Sequence, residues 1–259
     1  MYVFEILTPG SWLDYEDREW AWSVSTQLGF LKSHFFEANA ALNLFTSALS
    51  VGPPMSRQLW EQDAKRRSEI QRQIEHERIG SESAKDWLGI ALEADLLLKR
   101  EAWANGRRPR EFAHQLPFVY AKAFLYALDV FDKFLGVLAK ETGAMPTEVV
   151  TLHAQMAIEF PDLREVRNST QHMEDRARGL GRGGKLLNLQ PVDNEAIRAP
   201  SGALILNNLI GSRYGSTMAD GHYGEVDVTP ESMQRLQNIL QSVLNAFNWT
   251  GPRQHEPSL

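Results

Sequence analysis

The chain has 259 residues, 43% hydrophobic and 23% charged, the balance of a soluble globular protein with one large domain or two small ones. It contains no cysteine, which excludes disulfide frameworks, thiolate metal centres and a Cys nucleophile. With 27 Lys+Arg against 33 Asp+Glu the formal charge is -6, so any contact with nucleic acid must be made by a local patch.

The first residues, MYVFEILTPGSW, show neither a basic leader nor a long apolar run, and nothing approaches the length of a membrane span. A cytoplasmic, helix-rich protein is expected. The first helix is read over 15–50, dense in Trp, Phe, Leu and Ala, with Trp12, Trp20 and Trp22 assigned to core or a dimer interface. Val51-Gly52-Pro53-Pro54 stops it. A helix over 56–79 follows, with basic and acidic side chains interspersed as on a solvated face. Gly80 ends that helix, and Ser83 with Asp86 forms a capping pair for the next, to Asn105. After the basic linker 106–110, a long helix over 111–142 carries its apolar stripe on Phe118, Phe124, Leu125, Leu128, Phe131, Leu135 and Leu138. Prolines 146 and 161 open two more, to Phe160 and Arg178. Beyond Gly179 the composition changes. Strands are expected at 203–210 and 225–229, joined as a hairpin by a Gly-rich connection over 211–224. A last helix spans 230–248, and the polar tail 251–259 is expected to fray. The expected organisation is therefore an N-terminal helical region (1–110) packing on the core, central helices (111–180), a hairpin with a final helix (181–250), and the tail.

The helix over 161–178 is the most informative segment. At about 100° per residue, Leu163, Val166, Thr170, Met173 and Ala177 fall within one arc of about 80°, a narrow core stripe. Arg164, Arg167, Asn168, Gln171, His172 and Asp175 lie roughly opposite. Asn168 and His172, four apart, are neighbours, and Arg167 is one step round. A guanidinium can grip a phosphate through parallel hydrogen bonds and stabilise charge on its oxygens. An imidazole can take or give the proton of a 2′-hydroxyl or leaving oxygen. An amide can orient either group. Such chemistry on RNA needs no metal, because the nucleophile is in the substrate. One face supplies a single imidazole, and a symmetric dimer would supply the second.

Arg167-Asn168-x-x-x-His172 resembles the R-x(4–6)-H motif of HEPN-domain proteins, in the form with a polar residue directly after the Arg. The resemblance implies a mostly α-helical bundle, here with a small C-terminal β-hairpin elaboration and a final helix. It implies a metal-independent endoribonuclease of toxin–antitoxin or antiviral defence type, with a composite active site in a homodimer and a possible antitoxin or activating partner. Arg167, Asn168 and His172 would be catalytic; Arg164, Gln171, Arg176, Arg178, Arg182 and Lys185 would hold the RNA. No cofactor and no metal are implied. Where some members carry a modifiable Tyr two residues after the His, this chain has Glu174. The alternative is a non-catalytic helical module using the same face to bind a nucleotide, RNA or protein.

Other signals are weaker. Gly179-Leu-Gly-Arg-Gly-Gly-Lys185 matches a phosphate-cradling G-x-x-x-x-G-K, but Leu186 follows where Ser or Thr is needed, and a helix precedes it. Gly179 reads better as a helix C-cap followed by a basic linker. Asp220-Gly-His-Tyr-Gly-Glu-Val-Asp227 concentrates metal-capable groups, which turn chemistry also explains. A metal-dependent hydrolase built there is a third reading.

Overall fold

In the computed structural model, which describes residues 1–50 and 57–258, eight α-helices carry most of the chain. They are α1 (Arg18–Ser50), α2 (Arg57–Glu77), α3 (Trp87–Ala104), α4 (Arg110–Leu138), α5 (Glu148–Glu159), α6 (Leu163–Gln171), α7 (Met173–Ala177) and α8 (Pro230–Ala246). The stop expected at 51–54 lies outside the described residues. Caps fix several helix starts. Asp86 accepts from Gly89 N at 2.9 Å at the start of α3, and any Cβ at position 89 would lie 2.2 Å from Asp86 Oδ2. Thr229 accepts from Ser232 N, with Pro230 in the first turn of α8. No helix among the described residues is long and apolar enough to cross a membrane.

Small antiparallel sheets complete the fold. Strands β1 (Ile6–Thr8) and β2 (Trp12–Leu13) pair with β9 (Gln254–Glu256) and β8 (Trp249–Thr250), tying the two ends of the chain together. The tail therefore does not fray over these residues. Register places Ile6 opposite Glu256, and Lys32 Nζ holds Glu256 Oε2 at 2.7 Å. A short pair, β3 (Val192–Asp193) and β4 (Arg198–Ala199), precedes a three-stranded sheet of β5 (Asn208–Ile210), β6 (Arg213–Thr217) and β7 (Tyr223–Asp227). The expected hairpin thus gains a central strand within what reads as a connection. Gly215, Ser216 and Thr217 hide it from pattern reading, although Tyr214 is fully buried.

Two compact units form. One comprises residues 1–46 with 117 onward, so the first 46 residues belong with the central helices, whereas the sequence reading groups 1–110. Its core joins α1, α4, α5, α6 and α8 to the three-stranded sheet through side chains such as Phe35, Phe124, Phe131, Leu128, Tyr214 and Leu240. The other, residues 47–116, is centred on the α2–α3 pair, with Ile70, Ile74, Ile90 and Ala94 buried. Charges on α2 meet partners on α3, with Arg66 at 2.9 Å from Glu101 and Arg67 at 2.9 Å from Asp95. At the Trp-rich start the structure departs from the core reading of Trp12 and Trp22 but not from the dimer-interface reading, since an interface would leave both exposed in one chain. Trp12 lies on β2 rather than the helix, and Trp12 and Trp22 are 65% and 74% exposed.

Candidate functional site

The helix expected over 161–178 is interrupted at His172, whose φ of -115° and ψ of 39° end α6 and begin α7. His172 N still bonds to Asn168 O at 3.0 Å, so the two residues stay one turn apart. The break changes the face that follows it. Met173 is only half-buried and Ala177 is exposed, while Arg176 turns inward to meet Ser169 of α6.

Arg167 does not share a surface with His172. It is 9% exposed and ion-pairs with Asp129 of α4, itself 2% exposed. Lys133 Nζ reaches the same carboxylate oxygen at 2.7 Å. Neither contact is aligned as a hydrogen bond to that oxygen, so the attraction is of charge on charge. Arg167 Nη1 donates to Gln171 Oε1 at 2.7 Å, which draws Gln171 to the same side. Helical periodicity places a residue on an azimuth; it cannot show that a buried carboxylate 38 positions upstream waits there.

Asn168 and His172 instead line a cleft of about 250 Å³ together with Glu165, Asp175, Arg176 and the turn at Gly181–Gly183, closed on one side by Ala219. The turn comes close to the sheet segment: a Cβ on Gly181 would lie 2.5 Å from Ala219 O. Gly183 sits at φ 67°, the left-handed region that glycine enters without strain.

Arg176 is the unusual member. It is 4% exposed, and its hydrogen bonds go to neutral groups, Nε to Ser169 Oγ at 3.3 Å and Nη1 to Leu180 O at 2.6 Å. No carboxylate of the described residues pairs with it. The two acids in the cleft are engaged elsewhere, Asp175 with Arg178 at 2.5 Å and Glu165 with Arg182 at 3.6 Å. A buried guanidinium without a counter-ion carries a desolvation cost that an incoming anion relieves.

Of the residues expected to hold RNA, Arg176 and Arg182 line the cleft; Arg178 and Lys185 are exposed outside its walls. Arg164 is exposed on the side of α6 that faces Asp132. Sequence reasoning missed Glu165, Gly181, Gly183 and Ala219 as walls. The glycine run over 179–184 was the available signal for two of them. His172, Glu174 and Asp175 are the only described residues that bring three metal-capable atoms within 4.8 Å of one another. The acids and histidine over 220–227 do not converge in that way. Compared with protein-family models, with curated proteins and with solved structures, the chain matches none of them.

Proposed function

We propose that the chain is a HEPN-like, metal-independent endoribonuclease of toxin or defence type. The observation that carries this reading is the buried, carboxylate-free Arg176 set in one cleft with Asn168 and His172. Arg176 grips the phosphate of an RNA strand, with Arg182 at the mouth and Lys185 beyond it. The 2′-oxygen attacks phosphorus and the bond to O5′ breaks. His172 takes the 2′-hydroxyl proton, and the leaving oxygen receives one from the imidazolium of a second copy in a homodimer. The products are a 2′,3′-cyclic phosphate and a 5′-hydroxyl. Asn168 orients the attacking hydroxyl or the phosphate. Arg167, tied to Asp129, supports this arrangement by holding α6 on α4 and does not touch substrate.

The cleft contains one imidazole, which favours a second reading, a module that binds nucleotide or RNA without cutting it. Incubation of the protein with total RNA in EDTA separates the two, beside His172→Ala and Arg176→Gln. Cleavage is expected for wild type, with cyclic phosphate ends, and to fall by about 10²–10⁴-fold in His172→Ala. Binding without cleavage by a folded wild type would establish the module. Cleavage surviving both substitutions would move the chemistry to another helix.

A further inference from the structure

A second pocket, of about 310 Å³, opens beside the cleft, and Asp162, Asp193, Asn194, His222, Tyr223 and Glu225 furnish its polar and aromatic walls. Two elements join pocket and cleft. Asp162, immediately before α6, faces the pocket, and Glu165, one turn later and about 5 Å along the helix, faces the cleft. The tight turn that follows β6 puts Ala219 in the cleft and His222 in the pocket, closed by Met218 N to His222 O at 2.7 Å and Gly221 N to Met218 O at 3.1 Å. The start of α6 and the turn after β6 thus each contribute to both walls.

The pocket is built to hold its shape. Tyr223 lies across Gly215, where a Cβ would stand 2.2 Å from the phenol oxygen, and Asn208 Nδ2 donates to that oxygen at 3.0 Å. Burial, reinforced by the nearby Glu225 carboxylate, pushes this phenol up to about 12, so it remains neutral. Glu225 N donates to Asp162 Oδ2 at 3.2 Å, and Gly224 leaves the room for that approach. The Glu225 carboxylate is oriented by Asn194 Nδ2 at 3.5 Å and Arg213 Nη1 at 3.6 Å.

Acceptors dominate these walls, but their oxygens do not converge on a point as a cation requires: no three metal-capable atoms here lie within 4.8 Å of one another among the described residues. Spread acceptors beside an aromatic ring suit a flat ligand with hydrogen-bond donors along its edge. Of the four RNA bases, guanine presents N1–H and N2–H side by side, a pair that one carboxylate can accept together. Adenine and cytosine offer a single amine beside a ring acceptor, and uracil would turn carbonyls toward carboxylates.

We propose that this pocket receives the guanine base of the nucleotide whose phosphate occupies the cleft, making the cut guanine-selective. The inference rests on the phosphate reading of the cleft. Guanosine 3′-monophosphate and its adenosine, cytidine and uridine counterparts are titrated calorimetrically into wild type, Glu225→Gln and Asp193→Asn, and cleavage sites are mapped on an RNA containing every dinucleotide. Guanosine 3′-monophosphate is expected to bind at least about tenfold tighter than the others, with that margin reduced in Glu225→Gln. Should Glu225→Gln not fold, a reduced margin in the exposed Asp193→Asn serves the same purpose. Equal affinity for all four nucleotides, or a guanine preference that neither substitution reduces, overturns the pocket assignment. Cleavage at all bases alike overturns it and leaves the nuclease reading standing. Guanine-selective binding without RNA cleavage does the reverse, and absence of nucleotide binding overturns the pocket whatever cleavage shows.

Discussion

Helices α6 and α7, on either side of the break at His172, handle buried positive charge in opposite ways. Toward α4, Arg167 is paired with Asp129, whose carboxylate it shares with the more exposed Lys133. Toward the glycine turn, Arg176 is still more buried yet hydrogen-bonds only a hydroxyl and a carbonyl, while the acids of its cleft, Glu165 and Asp175, pair with Arg182 and Arg178. The first arrangement already holds a counter-charge. The second leaves a charge for an anion to satisfy. An arginine's role is therefore set by the acid that does or does not face it, and residue type in a motif does not distinguish the cases.

The sharpest way to break this contrast is Asp129→Ala. It strands Arg167 as an uncompensated buried charge and should cost about 3–5 kcal/mol of stability, read by urea denaturation. A loss below about 1 kcal/mol would show that Arg167 escapes to solvent and that the seam is not closed. An intermediate effect concerns Arg176. Inorganic phosphate at ten times its Kd should stabilise the wild type by about 1.4 kcal/mol, and Arg176→Gln should lose that increment. Equal stabilisation of both proteins would place the anion elsewhere.

The smallest effect tests a third cation, Lys122 on α4, which is partly buried and makes no ion pair among the described residues. Burial holds its ammonium below the ordinary lysine range. Its folded-state value lies below the unfolded one, so the cost of burying the charge is fully present at neutral pH. That cost fades as pH climbs through the ordinary lysine value near 10.4. After allowance for solvent screening, Lys122→Met should gain up to about 0.5 kcal/mol at pH 7 and progressively less toward pH 10.5. Thermal melts across that range check it; a gain independent of pH would assign the effect to packing alone.

Helices were the legible part of the sequence. The stripe from Phe124 to Leu138 and the start at Pro230 place α4 and α8 within a few residues, because local spacing and proline's fixed φ determine them. Strand β6 was illegible because Gly215 and Ser216 are weak strand formers and the burial of this segment depends on α6 packing over it. Likewise β9 is held by Ile6–Thr8 at the opposite end of the chain, which no local window can contain. For the site, Asn168 and His172 were legible as a one-turn pair. The separation of Arg167 from Arg176 was not, since it depends on Asp129 and on the helix break at His172.

The closing wall of the cleft at Ala219 has a bearing on when the protein can act. A ribosome has made α6, α7 and the glycine turn well before it reaches the residue that Gly181 abuts. Chains still in synthesis thus carry His172 and Arg176 without the wall that completes their surroundings, and β7 and α8, which pack into the same core, emerge later still. On the proposed reading of the cleft, the surroundings of its phosphate are therefore incomplete until the segment through Ala219 has been made.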